Sequence, residues 1–258
     1  MNINIPQLYF SKLMRAVVEF DLIQDNDSIL IGLSGGKDSL FLTYMLAVLR
    51  SRLKKSFTLK AVTIDPLFTK NFSTDSVKKF CHELSIDYFV HRVDINNAIK
   101  SSGKNPCFTC AYFRRGAINR IAKEKGCNKV AYAHHQDDAV ETLFMNLLYS
   151  GQFKTFTPST YLDRMKLTVI RPLIYFRETE TRTAVKYHGV TPVASPCPID
   201  GTTMRQDTKE LIKKLTAHYP LFYEHLAAAM RESAVGELWP AVPSRQQLKR
   251  KYDAFMKN

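Results

Sequence analysis

No stretch of this chain approaches the roughly 20 consecutive apolar residues that a membrane span requires. The apolar runs, such as Ser28 to Leu33 and Leu40 to Leu49, are short or broken by polar residues. A soluble protein with no membrane partner is expected. The first residues, MNINIPQLYFSKLMRAVVEF, lack the basic stretch, apolar block and small-residue cleavage site of a secretory signal. Export is therefore not expected, and a cytoplasmic location is. Glycine (10) and proline (11) are too scarce for a collagen-like or low-complexity chain, and 45% apolar residues exclude wholesale disorder. Cysteine is odd in number, at 5, and spread too thinly for a disulfide scaffold. A chain of 258 residues needs no such staples, because at this size about 70–75% of the unfolded surface is buried on folding.

Acidic residues are also short: 24 Asp plus Glu face 37 Lys plus Arg, a formal charge of +13. The excess is not a tail. It recurs at Arg50 to Lys55, Arg114-Arg115, Arg120 to Lys125, Lys209 to Lys214 and Arg245 to Lys251, interspersed with apolar positions at helical spacing. Any one run is a solvated helix face; together they point to an extended polyanion as partner.

The apolar pattern predicts an α/β fold. Residues 7 to 20 carry Leu8, Leu13, Val17 and Val18 at roughly helical intervals, and Asp25-Asn26-Asp27 ends them. Ser28 to Leu33 is a short branched-residue run followed by a Ser-Gly-Gly turn and the apolar stretch Leu40 to Leu49: a buried strand, a tight loop and a helix. The alternation repeats, with strands at Thr58 to Ile64, Tyr88 to Val93 and Lys129 to Ala133, and helices at Thr74 to Leu84, Ala111 to Lys125 and Ala139 to Tyr149. That order predicts a parallel sheet with helices on both faces. Leu167 to Arg171 and Gly189 to Pro192 are expected to add a last strand and a turn, and Thr208 to Leu215 and Leu221 to Met230 closing helices. Residues 1–217 are expected to form the main domain and 218–258 a C-terminal helical extension packed on it.

Three motifs carry chemistry. Ser34-Gly35-Gly36-Lys37-Asp38-Ser39 lies between the first buried strand and its helix, where ligands gather at the carboxyl ends of parallel strands. Paired glycines let backbone N–H groups approach an anion, the helix N-terminus adds partial positive charge, and two serines donate hydroxyls. The spacing is that of neither the mononucleotide P-loop nor the dinucleotide fingerprint. Pro106-Cys107-Phe108-Thr109-Cys110 opens the helix that carries Arg114-Arg115, and Cys197 lies far downstream in Ser195-Pro196-Cys197-Pro198. Three thiols suit an iron–sulfur cluster with one iron left open. A zinc site completed by His134 or His135, and dithiol or persulfide chemistry, are the alternatives. Cys81 and Cys127 read as small core residues. Ala133-His134-His135-Gln136-Asp137-Asp138 follows the fourth strand and starts a helix. Its acids are good helix N-terminal charges, and facing the phosphate loop they would also place Mg²⁺ on a nucleotide.

SGGKDS in this setting resembles the PP-loop of the N-type ATP pyrophosphatases, which cleave ATP between its α and β phosphates and adenylate a substrate oxygen. The resemblance implies that Ser34, Gly35, Gly36, Lys37 and Ser39 hold phosphates and that Asp38 is a catalytic or Mg²⁺-associated carboxylate. It also implies that Asp65, at the end of the second strand, contacts adenosine. Taken with PCFTC, the following RRG, AHHQDD and Cys197, the chain resembles the tRNA 2-thiocytidine synthetases over most of its length. Lesser support comes from the Asn146 to Gly151 and Ile170 to Leu173 segments. That family thiolates cytidine 32 of the tRNA anticodon loop with ATP, Mg²⁺ and a [4Fe–4S] cluster. The resemblance implies Cys107, Cys110 and Cys197 as cluster ligands, Asp138 and Arg114 in catalysis, His134 on ATP and Asp137 on Mg²⁺. It implies as partners tRNA and a sulfur donor, either a cysteine desulfurase or sulfide. The +13 surface, and a homodimer, would hold the tRNA. One departure stands out: the family's downstream Pro-Cys-x-x-Cys-Gly is here Pro196-Cys197-Pro198-Ile199-Asp200-Gly201, with a single cysteine. Thiolation of a tRNA uridine or a small molecule, lysidine-type adenylation, and a non-catalytic iron–sulfur or tRNA-binding protein are the competing readings.

Overall fold

Strand β1 (Ser28–Gly32) is dry on both sides. Successive side chains of a strand point to opposite faces. Accordingly Ile29 and Ile31 enter one apolar cluster and Leu30 another. A strand buried on both faces belongs to a sheet covered by helices on both, and the computed structural model has that architecture. It describes residues 5–69, 72–103, 105–187, 192–193, 197, 204–232, 244–247 and 249–250.

β1 pairs in parallel with β2 (Thr58–Asp65) on one side and β4 (Lys129–Ala131) on the other. β3 (Asp87–Arg92) adds in parallel to β2, and β6 (Leu167–Ile170) adds in parallel to β4. β5 (Ser159–Leu162) closes the edge antiparallel to β6, giving the order β3-β2-β1-β4-β6-β5. The chain runs outward from β1 through β2 to β3, then returns to the other side of β1 as β4. A crevice for ligands opens at such a switch point, beyond the carboxyl ends of β1 and β4.

On one face lie α1 (Gln7–Glu19), α2 (Lys37–Arg52), α3 (Asp75–Glu83) and α7 (Glu178–Tyr187), contributing Leu13, Phe41, Phe80 and Ala184 to the larger core. Every residue of α2 from Ser39 to Leu49 is buried; a helix apolar on all sides belongs in the middle of a protein. The other face is covered by α5 (Pro106–Glu124), whose Ala117, Ile118, Ile121 and Ala122 pack on Leu30, Val62 and Val130. A third cluster joins Val140 of α6 (Gln136–Ser150) to Ile212 of α8 (Met204–His218) and Tyr223 of α9 (Phe222–Glu232). The boundary expected between residues 217 and 218 falls in the last turn of α8, and α8 and α9 both pack on α6.

Three elements go beyond the sequence reading: α4 (Ile95–Ser102), the edge strand β5, and α7. Each is short or polar, so apolar periodicity has little to register. α5 starts five residues earlier than its apolar pattern, because Asn105 accepts the amides of Cys107 and Phe108 and Pro106 occupies the first turn. The turn expected at Gly189 to Pro192 lies outside the described residues.

A buried ion pair ties the amino ends of β1 and β4 together. Asp27 meets Lys129 Nζ at 2.7 Å and accepts the Asn128 amide at 2.7 Å and the Gln24 N–H at 2.6 Å. Lys129 Nζ also donates to the Leu22 carbonyl at 2.9 Å. Removing one partner strands the other charge in the core. Asp27→Ala is expected to cost about 3–5 kcal/mol in urea unfolding, and an Asp27→Leu, Lys129→Met double variant much less.

Candidate active site

The phosphate loop leaves β1 at Gly32 and enters α2 at Gly36, which caps the helix with no side-chain hydrogen bond. The first amides of α2 are thus not taken by a cap and present the positive end of the helix dipole. Ser34 Oγ lies 3.1 Å from Ser39 Oγ and accepts the Gly36 N–H at 3.3 Å, while Ser39 Oγ donates to the Gly36 carbonyl at 2.9 Å. Gly35 sits at φ +82°, and a Cβ there would meet Val193 Cβ at 3.0 Å. Gly32 is constrained too, since its Cβ would press on the Tyr132 ring at 3.0 Å.

This loop forms one wall of a cleft of about 480 Å³. Ser34, Gly36, Asp38 and Ser39 line it, opposite Arg114 and Arg115 of α5 and beside Tyr132, His134, Asp138 and Arg205. Val62 and Ile64 at the carboxyl end of β2 supply an apolar patch. Asp38 accepts Thr181 Oγ1 at 2.5 Å and Lys37 Nζ at 2.7 Å, and Lys37 also reaches Glu178 at 3.2 Å. Burial alone would raise the Glu178 carboxyl, yet Lys209 at 2.6 Å and Lys37 bring it down to about 2. Glu141 goes the other way. Burial pushes it up to about 7, outweighing Arg205 and Lys209, which stay 3.5 and 3.7 Å away on partly solvated side chains.

The AHHQDD residues divide their work at the start of α6. His135 Nδ1 accepts the Asp138 amide at 3.4 Å and Asp138 accepts the His135 amide at 2.9 Å, a reciprocal cap. His135 therefore carries its proton on Nε2, which lies 3.9 Å from Asp38. Asp138 also accepts Arg205 Nη1 at 2.9 Å. His134 stacks at 5.0 Å on Phe156, and burial lowers its imidazole to about 4, so it is neutral at physiological pH.

Four residues expected at the nucleotide site are outside the cleft lining: Gly35 and Lys37 of the loop itself, and Asp137 and Asp65. Asp137, the expected Mg²⁺ ligand, accepts Arg177 Nε with both oxygens at 3.2 Å and the Glu178 amide at 2.8 Å. Its charge serves the N-terminus of α7. Asp65 accepts the Leu67 amide at 3.0 Å and faces Arg92 at 3.7 Å, leaving Val62 and Ile64 as the β2 residues that line the cleft. Sequence reasoning in turn missed Tyr132, Arg205, Glu178 and Thr181. Only Tyr132, next to AHHQDD, lay within reach of a motif.

The thiols converge from two directions. Cys107 and Cys110 occupy the first turns of α5, and Cys197 lies close enough to act on the charge of Cys110; the Val193 amide donates to the Gly35 carbonyl at 2.9 Å. Burial raises the Cys110 thiol, Arg114 lowers it, and Cys197 and Cys107 each raise it further. All three cysteines are therefore electrostatic neighbours. Among the described residues no group of three or more His, Cys, Asp and Glu stands closed in metal-ligand geometry. Three thiols without a fourth protein ligand nonetheless match the donor set of a cluster with one open iron better than a closed four-ligand zinc site. Cys81 and Cys127 are buried core residues, as expected.

A phosphate cradle at the switch point of this sheet defines the PP-loop class of α/β proteins, and the PP-loop domain family matches residues 7–205. Relatives extend the match. The tRNA-cytidine(32) 2-sulfurtransferase of Dechloromonas aromatica is 34% identical over 223 residues, 84% of this chain and 77% of the relative. That of Geobacter sulfurreducens is 35% identical over 221 residues, 84% and 86% of the two chains. This chain belongs to the tRNA-cytidine(32) 2-sulfurtransferase family. Among solved structures, the U34-tRNA thiolase NcsA from Methanococcus maripaludis with its [4Fe–4S] cluster shares the fold. Its TM-score is 0.68 at 23% identity, over 85% of this chain and 76% of that one. No helix of the described residues is long and apolar enough to cross a membrane.

Two outcomes follow. Gly35→Ala forces a left-handed backbone costing roughly 1–2 kcal/mol onto a Cβ that collides with Val193. Both the unfolding midpoint and ATP affinity by calorimetry should fall. Between pH 6.5 and about 4 the unfolded chain protonates His134 while the folded one does not. Stability should therefore drop as pH falls through that window, by less in His134→Gln, measured as the difference between the two unfolding profiles.

Proposed function

We propose that this chain uses ATP to adenylate the C2 oxygen of cytidine 32 in the tRNA anticodon loop and replaces that oxygen with sulfur. The observation that carries the reading is the convergence on one cleft of the phosphate loop, the His-His-Gln-Asp-Asp helix start and the α5 arginines, beside three neighbouring cysteines.

In this reading the amides of the SGGKDS loop, the Ser34 and Ser39 hydroxyls and Lys37 bind the pyrophosphate portion of ATP. Lys37 exchanges its carboxylate partners for phosphate oxygens. Val62 and Ile64 seat the adenine, and Asp65 lies one residue on at the strand end, toward the ribose. Mg²⁺ arriving with ATP is held by Asp38, a carboxylate of the cleft wall, since Mg²⁺ takes one or two carboxylates and completes its shell with phosphate and water. The Thr181 hydroxyl keeps Asp38 in place.

The pyrimidine C2 oxygen attacks the α-phosphorus, and the bond to the bridging oxygen breaks with pyrophosphate leaving. A hydrosulfide sulfur then forms a bond to C2 and loses its proton, and the C2–O bond breaks with its electron pair departing on AMP. Arg114 stabilises the negative charge that builds around C2 during addition, and Asp138 orients Arg205 at the cleft wall. A [4Fe–4S] cluster on Cys107, Cys110 and Cys197 supplies, when bound, an open iron for inorganic sulfur. The sulfur then comes from sulfide or a cysteine desulfurase, with no protein persulfide required.

The test is an anaerobic incubation of the cluster-loaded chain with ATP, Mg²⁺, sulfide and unmodified tRNA, followed by mass spectrometry of the nucleosides. 2-Thiocytidine should form only with cluster and ATP together. Cys107→Ala, Cys110→Ala and Cys197→Ala should each abolish the product and the cluster's visible absorption, while Cys81→Ala and Cys127→Ala keep both. Lys37→Ala should keep the cluster and lower AMP formation by roughly 10²-fold or more. AMP without a thionucleoside would transfer the adenylation to another acceptor, and neither product would overturn the reading.

A further inference from the structure

α5 does more than carry cysteines and arginines. Phe108 is 56% exposed and Tyr112 63% exposed, with Phe113 also exposed beside them, on a helix whose later apolar residues, Ile118 and Ile121, are buried. Isolated exposed aromatics are ordinary. These two are not isolated, because Phe108, Tyr112 and Arg115 stand at i, i+4 and i+7 and share one face of the helix. The row starts at the cysteine turn, since Phe108 directly follows Cys107. It ends at the cleft, whose wall includes Arg115. Arg115 is exposed, and its charge bears on Tyr132 and Arg171 in the cleft. Phe113 braces the row, its ring edge-on to Tyr112 at 5.7 Å.

We propose that Phe108 and Tyr112 form a stacking platform for unpaired bases of the tRNA anticodon loop, with Arg115 holding the phosphate between the platform and the cleft. The inference rests on the tRNA reading above and adds to it the surface that recognises the loop. Single-stranded RNA is gripped by aromatic faces under splayed bases and by guanidinium groups on phosphates. An aromatic pair in line with an exposed arginine, on a chain of net charge +13, matches that ligand in shape and in charge. A duplex offers no base faces, so the platform also explains how the enzyme selects a loop. The bases stacked here are neighbours of the nucleotide in the cleft, which must leave the stack to be adenylated.

The cluster-loaded chain is titrated with an anticodon stem–loop RNA and with a duplex of equal length, using Phe108→Ala, Tyr112→Ala, Phe108→Trp and Arg115→Gln. At about 1–3 kcal/mol per stacked base, each alanine variant should lose roughly 5- to 150-fold in stem–loop affinity. Duplex affinity, ATP affinity and the cluster's visible absorption should be unchanged, and Phe108→Trp should bind like the parent. Arg115→Gln should flatten the salt dependence by about one counterion. Tyr112, a full turn beyond Phe108, keeps the test sound if Phe108→Ala disturbs the cluster. Parent-like stem–loop binding by the double alanine variant would overturn the platform. So would a change in its sedimentation from dimer to monomer, which would make this row a subunit contact. A parent chain that binds no tRNA at all would instead overturn the tRNA reading itself.

Discussion

The site depends on a helix that has no polar face. α2 is buried continuously from Ser39 to Leu49, between the sheet and the helices α1 and α7. Packing of that kind resists displacement in any direction, because interiors are close-packed and a shift leaves voids or clashes. The consequence appears at its N-terminus. Gly36 and Ser39 are held where the sheet ends, and the loop between β1 and α2 has almost no freedom beyond what Gly35 supplies. A phosphate cradle built from backbone amides works only if those amides stay put, and here the hydrophobic core keeps them in place.

Around this fixed loop Lys37, Lys209 and Arg205 are each shared between two carboxylates before a nucleotide arrives. Lys37 bridges Asp38 and Glu178, Lys209 reaches Glu178 and Glu141, and Arg205 sits between Asp138 and Glu141. A half-buried ammonium without a partner would be costly; sharing it between two carboxylates keeps it in place. Phosphate oxygens are strong partners too, through charge-assisted hydrogen bonds. Binding of a polyphosphate would be an exchange of partners at Lys37, with the Thr181 hydroxyl still donating to Asp38 when the lysine leaves it. α7 belongs to the site through Glu178 and Thr181.

The parts legible in the sequence are those with a strong local cause. β1, β2 and α2 are apolar runs, and the phosphate loop and the histidine–aspartate helix start carry spacings with few structural substitutes. α7 was not legible, because ETETRTAVKY has little apolar periodicity and reaches the site from some 140 residues away in sequence. The distinction between Asp137 and Asp138 was also out of reach. Neighbours on a helix point about 100° apart, so one faces Arg205 and the cleft and the other faces Arg177 and the start of α7, and a sequence does not say which. Asp65 illustrates the same limit on a strand. Its position at the carboxyl end of β2 was evident from the pattern, but its pairing with Arg92 and the Leu67 amide depends on how the chain turns afterwards, at a left-handed Leu67.

The cysteines show how closely the two halves of the chemistry are joined. Two thiols ride on the capped first turns of α5, and the third lies close enough to act on the charge of Cys110. The Val193 amide donates to the carbonyl of Gly35, inside the phosphate loop. Burial raises the Cys110 thiol, and the arginine one turn on, which opposes that rise, also lines the cleft. Positive charge at Arg114 therefore bears on a thiol at one side and on the cleft at the other. Any perturbation that moves α5 moves the first two thiols and Arg114 together, and Arg114 with Arg115 forms the wall of the cleft opposite the phosphate loop.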